Sequence, residues 1–356
     1  MSYLNALYAP SGSLAREYHR LTLQRLYWLI VLAIVLIATV LFNVASGPAN
    51  LSVTKILTSL VDPLVLSKNE SLIIWQIRLP YALMSVIVGA CLGLAGAELQ
   101  TVLNNPLASP STLGIMYAAT LGASLAIVFN LVPFGIPENY AVPVFAFVGA
   151  ISAVLAIQYV SKQFGAGLDT VILFGIAMVF ALQALISLIQ FVADSNSLQQ
   201  IVFWTMGSLA RATWEKVAIV TAFFGLCLPF SIRHMWKMTA LRGGEDYAKS
   251  FGISVERMRL GVLFRISILS AAAVAFCGVI GFVGLVGPHI ARLAFGEDHR
   301  FYLPGAALAG GFILAGASVL SKSIVPGILI PDGIVTALIG IPLFLGLLIK
   351  QKRKGA

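Results

Sequence analysis

Long apolar runs broken by short polar turns recur along the whole chain, at about 26–46, 79–100, 111–132, 141–161, 170–192, 216–233, 261–277, 280–296, 302–321 and 333–349. Each is close to the length needed to cross the roughly 30 Å hydrocarbon layer as an α-helix. The runs are continuously apolar rather than alternating, which predicts helices and argues against a transmembrane β-barrel. The pattern therefore predicts an all-α polytopic membrane protein of about ten transmembrane helices. The stretch 261–300 also fits one long span followed by a re-entrant piece. A polar tail (1–25), one membrane domain (26–350) and a short basic tail (351–356) complete the organisation. The first run follows Arg16, Arg20 and Arg25 and is too extended for a cleaved leader, so a retained span is expected.

The polar interruptions differ in size. Residues 47–72 form a loop with a short interfacial helix expected at 53–61, and residues 193–215 form a longer loop. The longest interruption runs from His234 to Arg259 and carries eight charges. Within this segment (235–260), two helical turns can begin after Gly243-Gly244 and stop at Gly252. Glu245 and Asp246 would lie in the first turn and Lys249 later, the order the helix dipole favours. Ser254 can then cap a second short helix, with Glu256 in its first turn. Tyr247 and Phe251, four apart, share one face. This elbow is a candidate receiver of force from another protein.

Composition sharpens the class. The chain is 59% hydrophobic and only 10% charged, with a mean hydropathy of +0.95. A soluble domain carries about 25% charged residues. The net charge of +9 points to lipid-facing cytoplasmic loops, not nucleic acid. With the N-terminus inside, the inner segments hold 17 of the 23 Lys and Arg residues and the outer segments 6. That bias places both termini and the elbow in the cytoplasm. Cys91, Cys227 and Cys277 lie far apart in apolar runs and form no metal or disulfide pattern.

Few residues offer chemistry. Asn104-Asn105-Pro106-Leu107 puts polar backbone near membrane depth, as does Asp169-Thr170 on the same side. Such backbone is tolerated where it is buried or lines a water-filled path. Gly89, Gly93 and Gly96 suit close helix packing, and glycines at 278, 281, 284 and 287 suggest tight approach in a bent helix. Glu98 is the acid deepest in a predicted span and is a functional suspect by its position. His289 and Arg292, with Asp298, His299 and Arg300 beyond, allow a metal or proton-relay reading or a structural polar contact. No P-loop or HExxH motif is present.

Five blocks in order carry a resemblance. Gly281–Arg300 (GFVGLVGPHIARLAFGEDHR) is similar to the signature of the FecCD-type permeases, the membrane subunits of type II ABC importers for iron–siderophore complexes, haem and vitamin B12. Ile77–Pro80, Leu99–Ile115, Gly244–Arg259 and Gly333–Leu348 agree with further family blocks. The resemblance implies the ten-helix type II ABC importer permease fold and marks Gly281, Gly284, Pro288, His289 and Arg292 as structural signature residues. It implies a second permease, identical or paralogous, two cytoplasmic ATPases that bind ATP and Mg, and an external binding protein. No cofactor or metal belongs to the chain itself.

Residue by residue, the family's cytoplasmic gate falls on Asn105 and Leu107, and its second half near Leu168 and Asp169. ATPase coupling falls on Glu245, Asp246, Tyr247, Lys249, Phe251 and Arg257. Docking of the binding protein falls on Arg78 and Lys322. The chain departs from the family pattern at Tyr81, where a second arginine is frequent, and in Leu329–Gly333, which lacks the family's glutamate. The expected function is translocation of a metal chelate, foremost a ferric siderophore, across the bacterial plasma membrane, with haem or a corrinoid as alternatives. Two other classes stand beside it: a membrane enzyme using His289, Asp298 and His299, and an ion-driven transporter relying on Glu98.

Overall fold

The computed structural model describes residues 11–47, 54–55, 58, 66–163, 168–325 and 327–355. Among them there are helices and no strands. In chain order they are α1 (Ser11–Ala45), α2 (Lys68–Val102), α3 (Ile115–Val128), α4 (Ala141–Gln163), α5 (Leu168–Val192), α6 (Ser195–Thr205), α7 (Trp214–Leu241), α8 (Glu245–Ser250), α9 (Val255–Cys277), α10 (Val283–Phe295), α11 (His299–Ser323) and α12 (Asp332–Gly355). Each of the ten expected spans corresponds to one helix. The interfacial helix expected at 53–61 lies largely outside the described residues.

α2 is the axis of the bundle. Its residues from Pro80 to Val102 are almost all buried, and it packs against α11, α9, α10 and α7. Glycine makes this possible. A Cβ on Gly93 would stand 2.2 Å from the Ala306 carbonyl oxygen, and one on Gly96 would stand 1.8 Å from that of Gly284. Small residues thus replace side-chain packing with backbone contact, as in other membrane bundles. α1 lies outside α11, while α3 packs on α4, α5 and α6.

A buried ion pair joins the axis to α9. Arg265 donates to both carboxylate oxygens of Glu98 at 2.8–3.1 Å, with the carboxylate fully buried. Glu98 therefore faces a partner helix, and Arg265, counted above with the inner loops, is a bundle residue. Burying either charge alone would be costly, and the bidentate geometry satisfies both.

Several expectations need correction. α3 and α10 have 14 and 13 residues, only about 21 and 20 Å at 1.5 Å per residue, so each is shorter than a full span. The flanking backbone is irregular and inward-lying: Gly278 has φ 73° and Phe282 φ 66°, and Val279–Phe282 pass between α9 and α10. The second short helix expected after Ser254 is the first turn of α9, and the Ser254 side chain makes no cap bond. The segment from His234 to Leu241 is the end of α7, not loop. Residues 195–205, expected as loop, form α6, capped by the Asp194 carboxylate accepting from the Asn196 and Ser197 amides at 2.8 and 3.0 Å. At the chain ends, α1 already begins at Ser11 and α12 continues to Gly355, so both predicted tails are in part helical.

Candidate coupling and gate site

Polar groups collect at one end of the bundle, the inner end, where α8 packs on α7 and α9 and where Tyr18 and Arg25 of α1 meet the start of α11. α7 stops at Arg242, and Gly244, at φ 112°, turns the chain into α8. Ala248 is buried beneath α8, while Tyr247 and Phe251 are 54% and 63% exposed and touch edge to face at 4.9 Å between ring centroids. Two apolar rings held together in solvent form a knob suited to a socket on another protein. Glu245 pairs with Arg259 at 2.5 Å, whose side chain is almost wholly buried in α9, so α8 is tied to α9 by an ion pair. Lys249 lies 3.9 Å from Glu245. Asp246 and Arg257 are exposed.

The loop after α2 meets Arg242, at the end of the helix that leads into this knob. Asn104 adopts φ 43°, and the Asn105 side chain accepts from the Leu107 amide at 2.9 Å, leaving Leu107 44% exposed at the loop tip. The backbone of Leu168 and Asp169 opens α5, and their side chains lie outside the described residues. Arg242 crosses from the coupling arm to this loop: Nη1 donates to Asn104 Oδ1 at 2.8 Å, and Nε to Glu297 Oε2 at 3.0 Å.

The turn between α10 and α11 completes the site. His299 is fully buried. Its Nε2 meets Thr101 Oγ1 at 2.8 Å, and its Nδ1 meets Thr239 Oγ1 at 3.1 Å. Arg292 donates to Gln100 at 3.1 Å and Tyr302 at 3.2 Å, and lies 3.8 Å from Glu297. Asp298 caps α11 and pairs with Arg300 at 2.6 Å and Arg25 at 3.6 Å. Burial would push the Glu297 and Asp298 carboxyls up. The hydrogen bonds and charges of Arg242 on the first and Arg300 on the second outweigh it, and both titrate below their ordinary values. His289 is half-buried on α10, apart from this network. Both nitrogens of His299 are occupied, and among the described residues no three His, Cys, Asp or Glu side chains gather as a metal site. Gly284 and Pro288 are buried in the α2–α10 contact, whereas a Cβ on Gly281 would meet open space.

Asn104 was marked by sequence only as polar backbone, and Arg242, Thr101, Thr239 and Glu297 were given no site role. A usable signal was the i, i+3 spacing of Thr239 and Arg242, which puts two polar groups on one helix face.

At the outer end, Arg78 is buried and donates to the Val44 and Ala45 carbonyls at 3.0 Å each, tying down the end of α1. Lys322 donates to the carbonyl and side chain of Asn43 and lies 4.2 Å from the Tyr81 ring centroid. Together they border a groove of about 280 Å³ walled by Ile77, Ile328 and Leu329. The two departures from the family pattern meet here: Tyr81 donates to Asp332 Oδ1 at 2.8 Å, and the other oxygen accepts from the Leu209 amide at 2.8 Å. Between α3, α5 and α10 lies a larger cavity of about 590 Å³, lined by Ser109, Thr112, Thr120, Gln183, Gln190 and Phe282 among others.

A bundle of membrane-length apolar helices with an exposed aromatic knob at one end fits a multi-pass membrane permease of the ABC importer type. The chain belongs to the FecCD transport family, whose model matches residues 34–350. It is 37% identical to an ABC transporter permease of Methanocaldococcus jannaschii, over 95% of this chain and 99% of the relative. It is 36% identical to the hemin transport system permease of Yersinia pestis, over 79% of this chain and 84% of that protein. A solved structure, described as an inward-facing conformation of a metal-chelate type ABC transporter, superposes with a TM-score of 0.82 and 32% identity, covering 91% of this chain and 99% of the other.

Proposed function

We propose that this chain is the translocation subunit of an importer that carries a ferric siderophore across the plasma membrane, driven by separate ATPase chains that bind ATP and Mg. The observation that carries the reading is the Tyr247–Phe251 knob, exposed on a short helix that is pinned to α9 through Glu245–Arg259. ATP binding by the partner draws on α8, with Asp246, Lys249 and Arg257 setting its register. The helices then move between discrete packings, as close-packed elements do. Asn105 and Leu107 close the path at the cytoplasmic side, with Leu168 and Asp169 as the second half of the gate. The cavity between α3, α5 and α10 belongs to the path; its hydroxyl, amide and apolar groups supply weak contacts that let a large cargo leave.

A second permease covers apolar faces of α5 and α12, where Phe180, Leu338 and Phe191 are 66–86% exposed; the remaining apolar surface meets lipid. An external binding protein docks at the outer groove beside Arg78 and Lys322. Both chain termini are cytoplasmic in this arrangement. Haem is the second reading for the cargo, favoured by the similarity to the hemin permease.

The test is uptake of radiolabelled ferric siderophore, and separately of haem, into proteoliposomes holding the permease with its ATPase and binding protein. Uptake that requires internal ATP is expected. Uptake driven by an ion gradient without ATP would overturn the reading.

A further inference from the structure

Directional polar links fix the register of two packed helices at defined points, in addition to the interdigitation of their apolar side chains. α7, the arm that carries α8, is joined to the end of α2 by two such links, one helical turn apart. The lower link is His299, which takes Thr101 of α2 on one ring nitrogen and Thr239 of α7 on the other; its amide also donates to Thr239 Oγ1 at 3.2 Å. The upper link is Arg242, bonded to Asn104 Oδ1 at 2.8 Å and held from behind by Glu297. Thr239 and Arg242 are three apart and lie along one face at the end of α7, while Thr101 sits in the last turn of α2 and Asn104 in the left-handed turn that leaves it, so the two links grip the end of α2 and its exit. Glu297 lies in the short turn before α11 and His299 is the first residue of α11, two residues on, so one stretch of chain braces both links against the rest of the bundle. Asn104 is two residues from the buried end of α2 and directly precedes Asn105, whose side chain holds the Leu107 amide. Any displacement of the α7 end is thereby applied at the base of the Asn105–Leu107 loop.

We propose that Arg242 and His299 are positioning residues that form a transmission link, passing movement of α8 to the gate loop. This rests on the coupling and gate reading above. Neither residue contacts cargo.

The experiment uses the assembled transporter in inside-out membrane vesicles, with Cys91, Cys227 and Cys277, all buried, replaced by alanine. Single reporter cysteines are placed at exposed positions, Leu107→Cys on the gate loop and Ser250→Cys on α8. Their rates of modification by a membrane-impermeant maleimide are compared with and without trapping by ATP and vanadate. In the parent, trapping should change both rates several-fold. In Arg242→Gln, and in Asn104→Gly, which keeps the left-handed backbone but deletes the acceptor, the Ser250 site should still respond and the Leu107 site should lose its response. The double variant should match either single one, because both remove the same bond. Thr239→Val, which leaves Arg242 in place, should weaken the Leu107 response partly. A parental Leu107 response in Arg242→Gln and Asn104→Gly overturns the upper link, and one in Thr239→Val overturns the part given to His299. No response at Ser250 in the parent overturns the coupling reading itself, and this proposal with it.

Discussion

Replacing Glu98 by alanine strands the Arg265 guanidinium inside the bundle. In the native chain that group is 5% exposed and makes three contacts of 2.8–3.1 Å to a carboxylate with no solvent exposure. Removing one partner of such a pair costs about 3–5 kcal/mol, because the survivor keeps its desolvation cost without its counter-charge. Replacing both members by apolar side chains of similar volume removes that penalty, and the net change is then near neutral or stabilising by about 1–4 kcal/mol. Thermal denaturation in detergent, followed by loss of the monodisperse chromatographic peak, should show Glu98→Ala and Arg265→Ala melting well below the parent. Glu98→Met with Arg265→Met should recover most of the difference. ATP-dependent uptake should survive in the double variant, because the pair is a staple between α2 and α9 and not an ion carrier. Parental melting of Glu98→Ala would refute the structural argument. A stable but inactive double variant would show that transport uses the charge itself, as an ion-driven transporter would.

Two glycines of one signature should behave oppositely. Alanine at Gly96 or its neighbour Gly284 forces a Cβ against backbone at 1.8 and 3.0 Å respectively, so Gly96→Ala should sharply reduce folded protein and Gly284→Ala should do so less. Gly281→Ala, in open space, should express and melt like the parent. The inner-end carboxyls set an acid limit. Glu297 and Asp298 titrate below their ordinary values, so their stabilisation is complete above about pH 5 and is lost as pH falls through the folded values. The difference in melting temperature between the parent and Arg242→Gln, where Glu297 has lost its main partner, should be constant from neutral pH to about 5 and narrow below that.

The spans were readable because hydropathy reports transfer into lipid, and that requirement acts on each helix separately. It failed where helices run on past the membrane. His234 and Lys237 looked like loop, yet α7 continues through them to Leu241 because backbone hydrogen bonding does not stop at the interface. Residues 255–259 looked like a separate helix, yet Arg259 is buried and paired to Glu245, so the turn is continuous with α9. α6 was overlooked although Asp194 offers a cap and Ile201 and Trp204 share its buried side. Apolar length overstated α3 and α10, since the irregular backbone beside them is itself apolar.

In the site, the two elbow aromatics and the asparagine loop stood out by local pattern. The links between them did not, because Arg242 and Asn104 are 138 residues apart and nothing local pairs them. The same holds for Glu98 and Arg265, which are 167 residues apart. The pairing of Tyr81 with Asp332 joins two departures from the family pattern in one hydrogen bond across 251 residues.

The most direct test of the central claim, that an external motor works this path through α8, is the number of ATP molecules hydrolysed per cargo molecule imported by Phe251→Asp. The substitution puts a charge on an exposed ring position and leaves the core untouched. The assembled complex should still hydrolyse ATP while uptake falls to background, so the ratio rises steeply. An unchanged ratio with parental uptake would contradict the account.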